Sequence, residues 1–147
     1  DVISQVENLR KLRELIKEKN ILYSLFVDPD PKQIEASILV EADSIEINTG
    51  RYSELRDHDE INGELKRIQE AARYAFDLGL RVFAGHGLNY NNVKAIAAIP
   101  EIEELNIGHF LVAQSVYTGF ENAVKTMIEV IINTKPLGVK SENNINY

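Results

Sequence analysis

The sequence predicts an α/β fold built on a parallel β-sheet. Four short apolar runs, at residues 21–28, 44–48, 80–86 and 104–109, each end on a polar or ionisable group. Each run is followed by a stretch with helical periodicity. The first run is apolar almost throughout, which is typical of a strand covered on both faces. The pattern therefore predicts four βα units.

Helical spacing of apolar residues predicts a first helix over about residues 4–19 and further helices over about 31–41, 65–76 and 92–99. Asp30 is the expected N-cap of the second helix, and Gln33 is expected to complete its capping box. Thr118 and Glu121 predict another capping box, which opens a last helix through Ile131. Residues 112–117 are a candidate short extra helix. The polar segment 49–59 is expected to be a loop.

An initial helix followed by four βα units fits two architectures, half of a (β/α)8 barrel or a four-stranded doubly wound sheet. The 147 residues suffice for one domain, but they are short for a complete barrel, which needs roughly 200 or more. The chain starts at Asp1 without methionine, which suggests the later part of a longer or processed protein. Residues 135–147 are predicted to be a loose tail.

Composition narrows the function classes. The net charge of −7 argues against nucleic acid as a partner, because a phosphate backbone requires a basic surface. A small anionic substrate remains compatible with this charge, since a few local donors can bind it. Cysteine is absent, which excludes disulfides and thiolate metal sites. No apolar run reaches the roughly 18 residues of a membrane span, so no membrane partner is predicted.

The carboxyl ends of parallel strands lie along one edge of a sheet, where α/β proteins bind ligands and perform chemistry. The residues expected at that edge are Asp28, Glu46, Asn48, His86 and His109. The sequence therefore predicts an active or binding site there.

Glu46 is the first catalytic candidate. In residues 44–48 the side chains alternate, so Ile45 and Ile47 face one way and Glu46 faces the other. An ionised carboxylate on an inward face is costly unless it is paired or hydrogen-bonded. A structural ion pair with Arg51 or Arg81 explains Glu46 equally well, and both interpretations remain open at this stage.

His86 is the second candidate, because it lies between Gly85 and Gly87. Flanking glycines allow a sharp turn and a close approach to a ligand, and an imidazole suits acid–base catalysis near neutral pH. The alternative is a histidine that only caps the turn.

The segment 106–109 ends the fourth run with Gly108 and His109 before a second helical start. A glycine between a strand and a helix N-terminus exposes backbone N–H groups that can bind phosphate. The alternative is a tight βα turn without a ligand. His58 is expected to be a solvated loop residue. No compact metal-ligand spacing is present, so neither a metal nor another cofactor is predicted.

Four segments of the chain, 24–28, 45–52, 84–93 and 104–109, closely resemble the pyridoxine 5′-phosphate synthase family. The resemblance runs from the first helix to about Ile131. It implies that residues 1–134 are the C-terminal half of a (β/α)8 TIM barrel, with strands five to eight. It also implies a cytoplasmic homo-oligomer, commonly an octamer. The implied reaction condenses 3-amino-2-oxopropyl phosphate with 1-deoxy-D-xylulose 5-phosphate.

By the same resemblance, His86 matches the family's proton donor, and Glu46 matches the carboxylate that stabilises the transition state. Gly87, Gly108 and His109 match positions that bind the aminooxopropyl phosphate. Asn48 departs from the family, which usually has histidine there. The motifs of the family's first half are not in this sequence, including its catalytic glutamate. The alternatives to an enzyme are a non-catalytic phosphate-ligand binding module and a structural half-barrel.

Overall fold

The computed structural model describes residues 1–134. The loose tail predicted for residues 135–147 lies outside the described residues. Within residues 1–134, no helix combines the length and apolar character needed to cross a membrane.

The chain alternates strands and helices after an initial helical segment. A 3₁₀ turn at Ile3–Gln5 leads into the first helix. The strands are β1 (Ser24–Val27), β2 (Ser44–Asn48), β3 (Arg81–Gly85) and β4 (Ile102–Asn106). The helices are α1 (Val6–Lys17), α2 (Pro31–Leu39), α3 (Gly50–Glu54), α4 (His58–Asp77), α5 (Val93–Ala97), α6 (His109–Thr118) and α7 (Phe120–Ile132).

The four strands form one parallel sheet in the order β1-β2-β3-β4. Spatial order therefore follows chain order without a reversal. A doubly wound sheet has a switch point where the strand order reverses, so the described sheet does not have that topology. A parallel sheet in sequential order, with helices between the strands, is consistent with part of a TIM barrel.

The hydrophobic core lies on one face of this sheet. Ile45 and Ile47 of β2 and Val82 and Ala84 of β3 are all fully buried. The helices contribute to the same core cluster the apolar side chains Ile34, Ile68, Ala72, Val93, Ile96 and Met127. The alternation predicted for β2 is therefore confirmed, since its isoleucines face the helices.

The opposite face of the sheet is open in the described residues. The register aligns Phe26 with Glu46 and Glu46 with Phe83, so these three side chains share that face. Phe26 remains 52% exposed there, and Glu104 and Asn106 of β4 are exposed. An uncovered face that carries both an aromatic ring and carboxylates is consistent with the interior face of a barrel segment.

Several predicted features of local structure were wrong. The segment 49–59, expected to be a loop, contains α3 and the start of α4. Asp57 caps α4 by accepting from the amide groups of Asp59 and Glu60. A five-residue helix is too short to produce a readable apolar period, which explains why α3 was missed.

The two capping boxes were also wrong, although Asp30 does cap α2 through the Lys32 amide. The Gln33 side chain instead accepts from the backbone N–H of Val2 at 2.7 Å. Thr118 is the last residue of α6, and α7 begins after Gly119. Asp30 therefore begins α2 without a capping box, because the Gln33 side chain makes a tertiary contact, and the start of α7 is set by the turn at Gly119.

The strands are also shifted from their predicted ranges. β1 begins at Ser24, three residues after the predicted start. β4 spans Ile102–Asn106, so it begins earlier and ends earlier than the predicted 104–109. His109 is consequently the first residue of α6 and does not end a strand.

Candidate active site

An open cavity of about 950 Å³ lies at the carboxyl ends of β3 and β4. It brings together Glu46, His86, Gly87, Gly108 and His109, which are the five site residues expected from the sequence and the resemblance. The remaining lining residues are Phe26, Leu88, Asn89, Asn106, Ile107, Phe110 and Ala113. The cavity thus joins the open face of the sheet to the loops that follow β3 and β4.

Glu46 reaches this cavity from β2, two strands away from β4. Its carboxylate Oε2 accepts a hydrogen bond of 2.8 Å from the Asn106 side-chain amide. Because β3 lies between β2 and β4, this hydrogen bond crosses over the backbone of β3. Glu46 is therefore held by a side chain 60 residues later in the chain.

Gly85 makes this crossing possible. A Cβ atom at Gly85 would collide with Glu46 Oε1 and would lie 2.9 Å from the Asn106 carbonyl oxygen. Any other residue at position 85 would displace the Glu46 carboxylate. The glycine before His86 is thus required for space at the carboxylate, which differs from the turn flexibility expected from the sequence.

The ion-pair interpretation of Glu46 was wrong. Arg51 approaches Glu64 at 3.5 Å, and Arg81 pairs with Glu103 at 2.9 Å. Glu46 is thus stabilised by a neutral amide donor, in a position that faces the cavity.

Burial raises the pKa of the Glu46 carboxyl above its ordinary value, and the nearby negative charge of Glu104 raises it further. The hydrogen bond from Asn106 and the neighbouring His86 act in the opposite direction. The net effect is a carboxylate whose charge is costly in the folded protein and is incompletely screened by solvent. Such a group can interact strongly with positive charge that develops on a bound substrate.

His86 follows β3 with a backbone φ of +80°. This left-handed conformation is uncommon for a residue with a side chain and costs about 1–3 kcal/mol. Gly87 also has a positive φ of +75°, and a Cβ atom there would collide with Ser53 of α3. The imidazole of His86 lies 6.2 Å from the Phe26 ring, centroid to centroid. The turn at His86 is therefore strained and closely packed.

The β4–α6 connection places a helix N-terminus at the cavity. Gly108 is the N-cap of α6, and no side chain caps this helix end. The first amide groups of a helix have no acceptor within the helix, and their dipole favours an anion. A Cβ atom at Gly108 would meet no heavy atom within 4 Å. The arrangement can bind a phosphate group, and the predicted extra helix at 112–117 is confirmed as part of α6.

Asp28 and Asn48 also lie at the carboxyl edge of the sheet, but they do not line the cavity. The Asn48 side chain donates to Asp28 at 2.9 Å and accepts from the backbone N–H of Gly50 at 2.9 Å. Asn48 thus joins β1 to the start of α3 and does not bond to Glu46. The edge predicted from the sequence divides into the cavity and this separate polar pair.

Neither Asn106 nor Phe26 was predicted as a site residue, although both line the cavity. Asn106 begins the segment 106–109 that ends the fourth apolar run. The period of two along β4 would have placed it on the same face as Glu46 once the register was known.

His58 is exposed, as expected, but it begins α4 and contacts the Asn62 side chain at 3.0 Å. Among residues 1–134, no group of three or more acidic, histidine or cysteine side chains is arranged to hold a metal ion.

Comparison with known proteins shows which family the chain is similar to. The sequence profile of the family described as "Pyridoxal phosphate biosynthesis protein PdxJ" matches residues 1–133. A protein named pyridoxine 5′-phosphate synthase from Sulfurihydrogenibium sp. (strain YO3AOP1) is 50% identical over 135 residues, which are 92% of this chain and 55% of the relative. A protein of the same name from Aquifex pyrophilus is 54% identical over 132 residues, covering 87% of this chain and 56% of the relative.

A third protein of that name, from Colwellia psychrerythraea, is 44% identical over 135 residues and is covered to 55% of its length. The chain therefore spans about half the length of the curated relatives it matches. The profile match over nearly all described residues, together with these identities, shows that the chain belongs to the PdxJ family of pyridoxal phosphate biosynthesis proteins.

Proposed function

We propose that this chain is the C-terminal half of a pyridoxine 5′-phosphate synthase and supplies strands five to eight of its (β/α)8 barrel. The proposed reaction joins 3-amino-2-oxopropyl phosphate to 1-deoxy-D-xylulose 5-phosphate. The names and the coverage of the relatives support this proposal. The sequential parallel sheet and its open face are consistent with half of a barrel.

The observation that carries the proposal is the single cavity shared by Glu46, His86 and the N-terminus of α6. It combines a group that can transfer a proton, a carboxylate and a set of backbone donors. When an amine condenses with a carbonyl compound, the adduct carries a hydroxyl group on the former carbonyl carbon. This hydroxyl group must leave as water, and positive charge develops on nitrogen as it leaves. In this proposal His86 donates the proton, and Glu46 stabilises the positive charge.

In this proposal, the backbone N–H groups around Gly87, Gly108 and His109 bind phosphate. These groups would orient one phosphorylated substrate so that its reactive end lies near Glu46 and His86. From the family resemblance, we also propose that the intact enzyme is a cytoplasmic homo-oligomer, with the octamer as the specific expectation.

The test is product formation by the intact protein, with both halves present and both phosphorylated substrates supplied. Pyridoxine 5′-phosphate and inorganic phosphate should appear together. Binding of the phosphorylated substrates without product would support the alternative of a non-catalytic binding module and would contradict the enzyme proposal.

Gly108→Val should weaken the binding of a phosphorylated substrate while the fold is retained. Position 108 has open space around it and an ordinary φ of −116°, so the protein itself can accept a side chain there. The valine side chain would enter the space that the phosphate needs. We expect a loss of affinity of roughly tenfold or more, which corresponds to one or two charge-assisted hydrogen bonds. Isothermal titration calorimetry of the intact protein measures this loss.

Gly63→Val is the matched control, because Gly63 also has no neighbour within 4 Å of the added Cβ atom but lies on α4, outside the cavity lining. Unchanged affinity in Gly108→Val would refute the proposed phosphate site.

Glu46→Gln should lower turnover by about 10²-fold, with a smaller effect on substrate binding. The substitution removes the charge, while the glutamine oxygen can still accept from Asn106. Steady-state kinetics of the intact protein separate kcat from KM. Near wild-type turnover would remove Glu46 from the proposed mechanism.

The same variant should be more stable than wild type at neutral pH. Because the folded-state pKa of Glu46 is raised, folding favours its protonated form, and the ionised form present above the folded-state pKa destabilises the fold. Glutamine avoids this cost, so the Tm of Glu46→Gln should exceed that of wild type at pH 7. The difference should shrink as the pH falls through the raised pKa and Glu46 becomes protonated. Thermal unfolding between pH 4 and pH 8 tests the sign.

A further inference from the structure

The backbone at His86 must be held in place by its surroundings, because its φ of +80° is unfavourable for a histidine. The carbonyl group of Gly85 lies just before the His86 Cα atom in the chain, and the carbonyl group of His86 lies just after it. Both have their hydrogen-bond donors on one residue, Thr49, which lies between β2 and α3.

Thr49 is fully buried and contacts both carbonyl groups. Its backbone N–H donates to the Gly85 oxygen at 2.8 Å. Its hydroxyl oxygen lies 2.6 Å from the His86 carbonyl oxygen and 2.8 Å from that of Gly85. A hydroxyl group has one proton to donate. Both carbonyl oxygens are within donor distance of the hydroxyl, and the shorter contact, together with the amide bond that Gly85 already accepts, favours the His86 carbonyl as its acceptor.

The residue after Thr49 contacts the imidazole ring itself. A Cβ atom at Gly50 would lie 2.8 Å from Cδ2 of His86, so the edge of the ring occupies the space that a side chain at position 50 would need. The Phe26 ring lies within 6.2 Å of the imidazole, measured between centroids. The Thr49–Gly50 turn therefore holds both the backbone and the ring of His86.

We propose that Thr49 is a positioning residue for His86, and that the Thr49–Gly50 turn directs the imidazole into the cavity. The proposal rests on the proposed function, in which His86 transfers a proton to the substrate. The Thr49 hydroxyl holds the His86 carbonyl in the left-handed conformation. Gly50 leaves room for the ring, because any side chain at this position would collide with it. Displacing a proton donor by about 1 Å can lower the reaction rate by about 10²-fold. Loss of the contacts that position His86 should therefore have a measurable effect on kcat.

Thr49→Val keeps the size of the side chain and removes the hydroxyl. In the intact protein it should lower kcat by about 10-fold to 10²-fold and change KM for both substrates by less than about threefold. Thr49→Ser keeps the hydroxyl and should restore kcat to within about threefold of wild type. A Thr49→Val enzyme with wild-type kcat, or a Thr49→Ser enzyme as slow as Thr49→Val, would overturn the proposal.

Ser37→Ala is the matched control for the loss of a buried hydroxyl. Ser37 is fully buried on α2 and donates to the Gln33 carbonyl at 2.8 Å, away from the cavity. It should lower Tm without changing kcat, whereas Thr49→Val should change kcat at temperatures where both variants are folded. If Thr49→Val does not fold, Gly50→Ala replaces it, because its Cβ atom displaces the ring while the hydroxyl remains. Wild-type kcat in Gly50→Ala would then contradict the proposal.

A double-mutant cycle separates this proposal from the proposed function. If Thr49 acts through His86, Thr49→Val should not lower kcat further in a His86→Ala background. Independent, multiplicative losses would overturn the positioning role. Wild-type kcat in His86→Ala alone would instead remove His86 from the mechanism. A slow His86→Ala enzyme with a fast Thr49→Val enzyme would leave the proposed function intact and refute only the role of Thr49.

Discussion

The 147-residue chain by itself should form no detectable pyridoxine 5′-phosphate from the two phosphorylated substrates. Four strands cannot close a barrel of this type, so the edges of β1 and β4 and one face of the sheet stay open. Phe26 is 52% exposed on that face. Water that enters there weakens the electrostatic effect of Glu46. The catalytic glutamate expected in the other half would also be missing.

The measurement is a product assay with the purified chain, followed by the same assay after co-expression with a fragment that carries the other four strands. Activity should appear only in the second case. Circular dichroism and gel filtration of the isolated chain show whether it is folded and whether it self-associates through its open face. Clear turnover by the isolated chain would contradict the proposal that it holds only half of the active site.

His86→Ala should lower turnover of the intact protein by about 10²-fold to 10⁴-fold, the usual contribution of a general acid or base. The imidazole lines the cavity beside Glu46 and is held against Gly50. Because the backbone donors around Gly108 and His109 are unchanged, substrate affinity should fall much less than kcat. Alanine also has a poor fit to a φ of +80°, so Tm must be measured alongside the rate.

His58→Ala is the control for this substitution. His58 is exposed at the start of α4, outside the cavity lining, and its imidazole contacts the Asn62 side chain. It should leave turnover and substrate affinity unchanged. If His86→Ala has the same turnover as His58→Ala, another group must transfer the proton.

Several features of this fold were predictable from sequence because they depend on neighbouring residues. The alternation in residues 44–48 correctly placed Ile45 and Ile47 in the core and Glu46 on the opposite face. Apolar runs followed by helical periods correctly predicted four parallel strands in one sheet. By contrast, the capping pattern at Gln33 failed because its side chain bonds to Val2, far away in the sequence, and the pattern at Thr118 failed because this residue ends α6.

The arrangement of the cavity was predictable only in part. The residues at the carboxyl ends of the strands were identified, but their division into a cavity and the Asp28–Asn48 pair was not. The role of Gly85 depends on a hydrogen bond between β2 and β4 that passes over it. That hydrogen bond depends on the register of three strands, which cannot be read from a single sequence.

The α/β class, the four strands and the candidate site residues Glu46, His86 and Gly108 were predictable from the sequence alone. These predictions rest on side-chain periods and residue types, which act over a few positions. The hydrogen bonds from Asn106 to Glu46 and from Thr49 to the His86 carbonyl become visible only in the folded chain. These contacts join residues 60 and 37 positions apart, and they form only after the strands have aligned and the helices have packed.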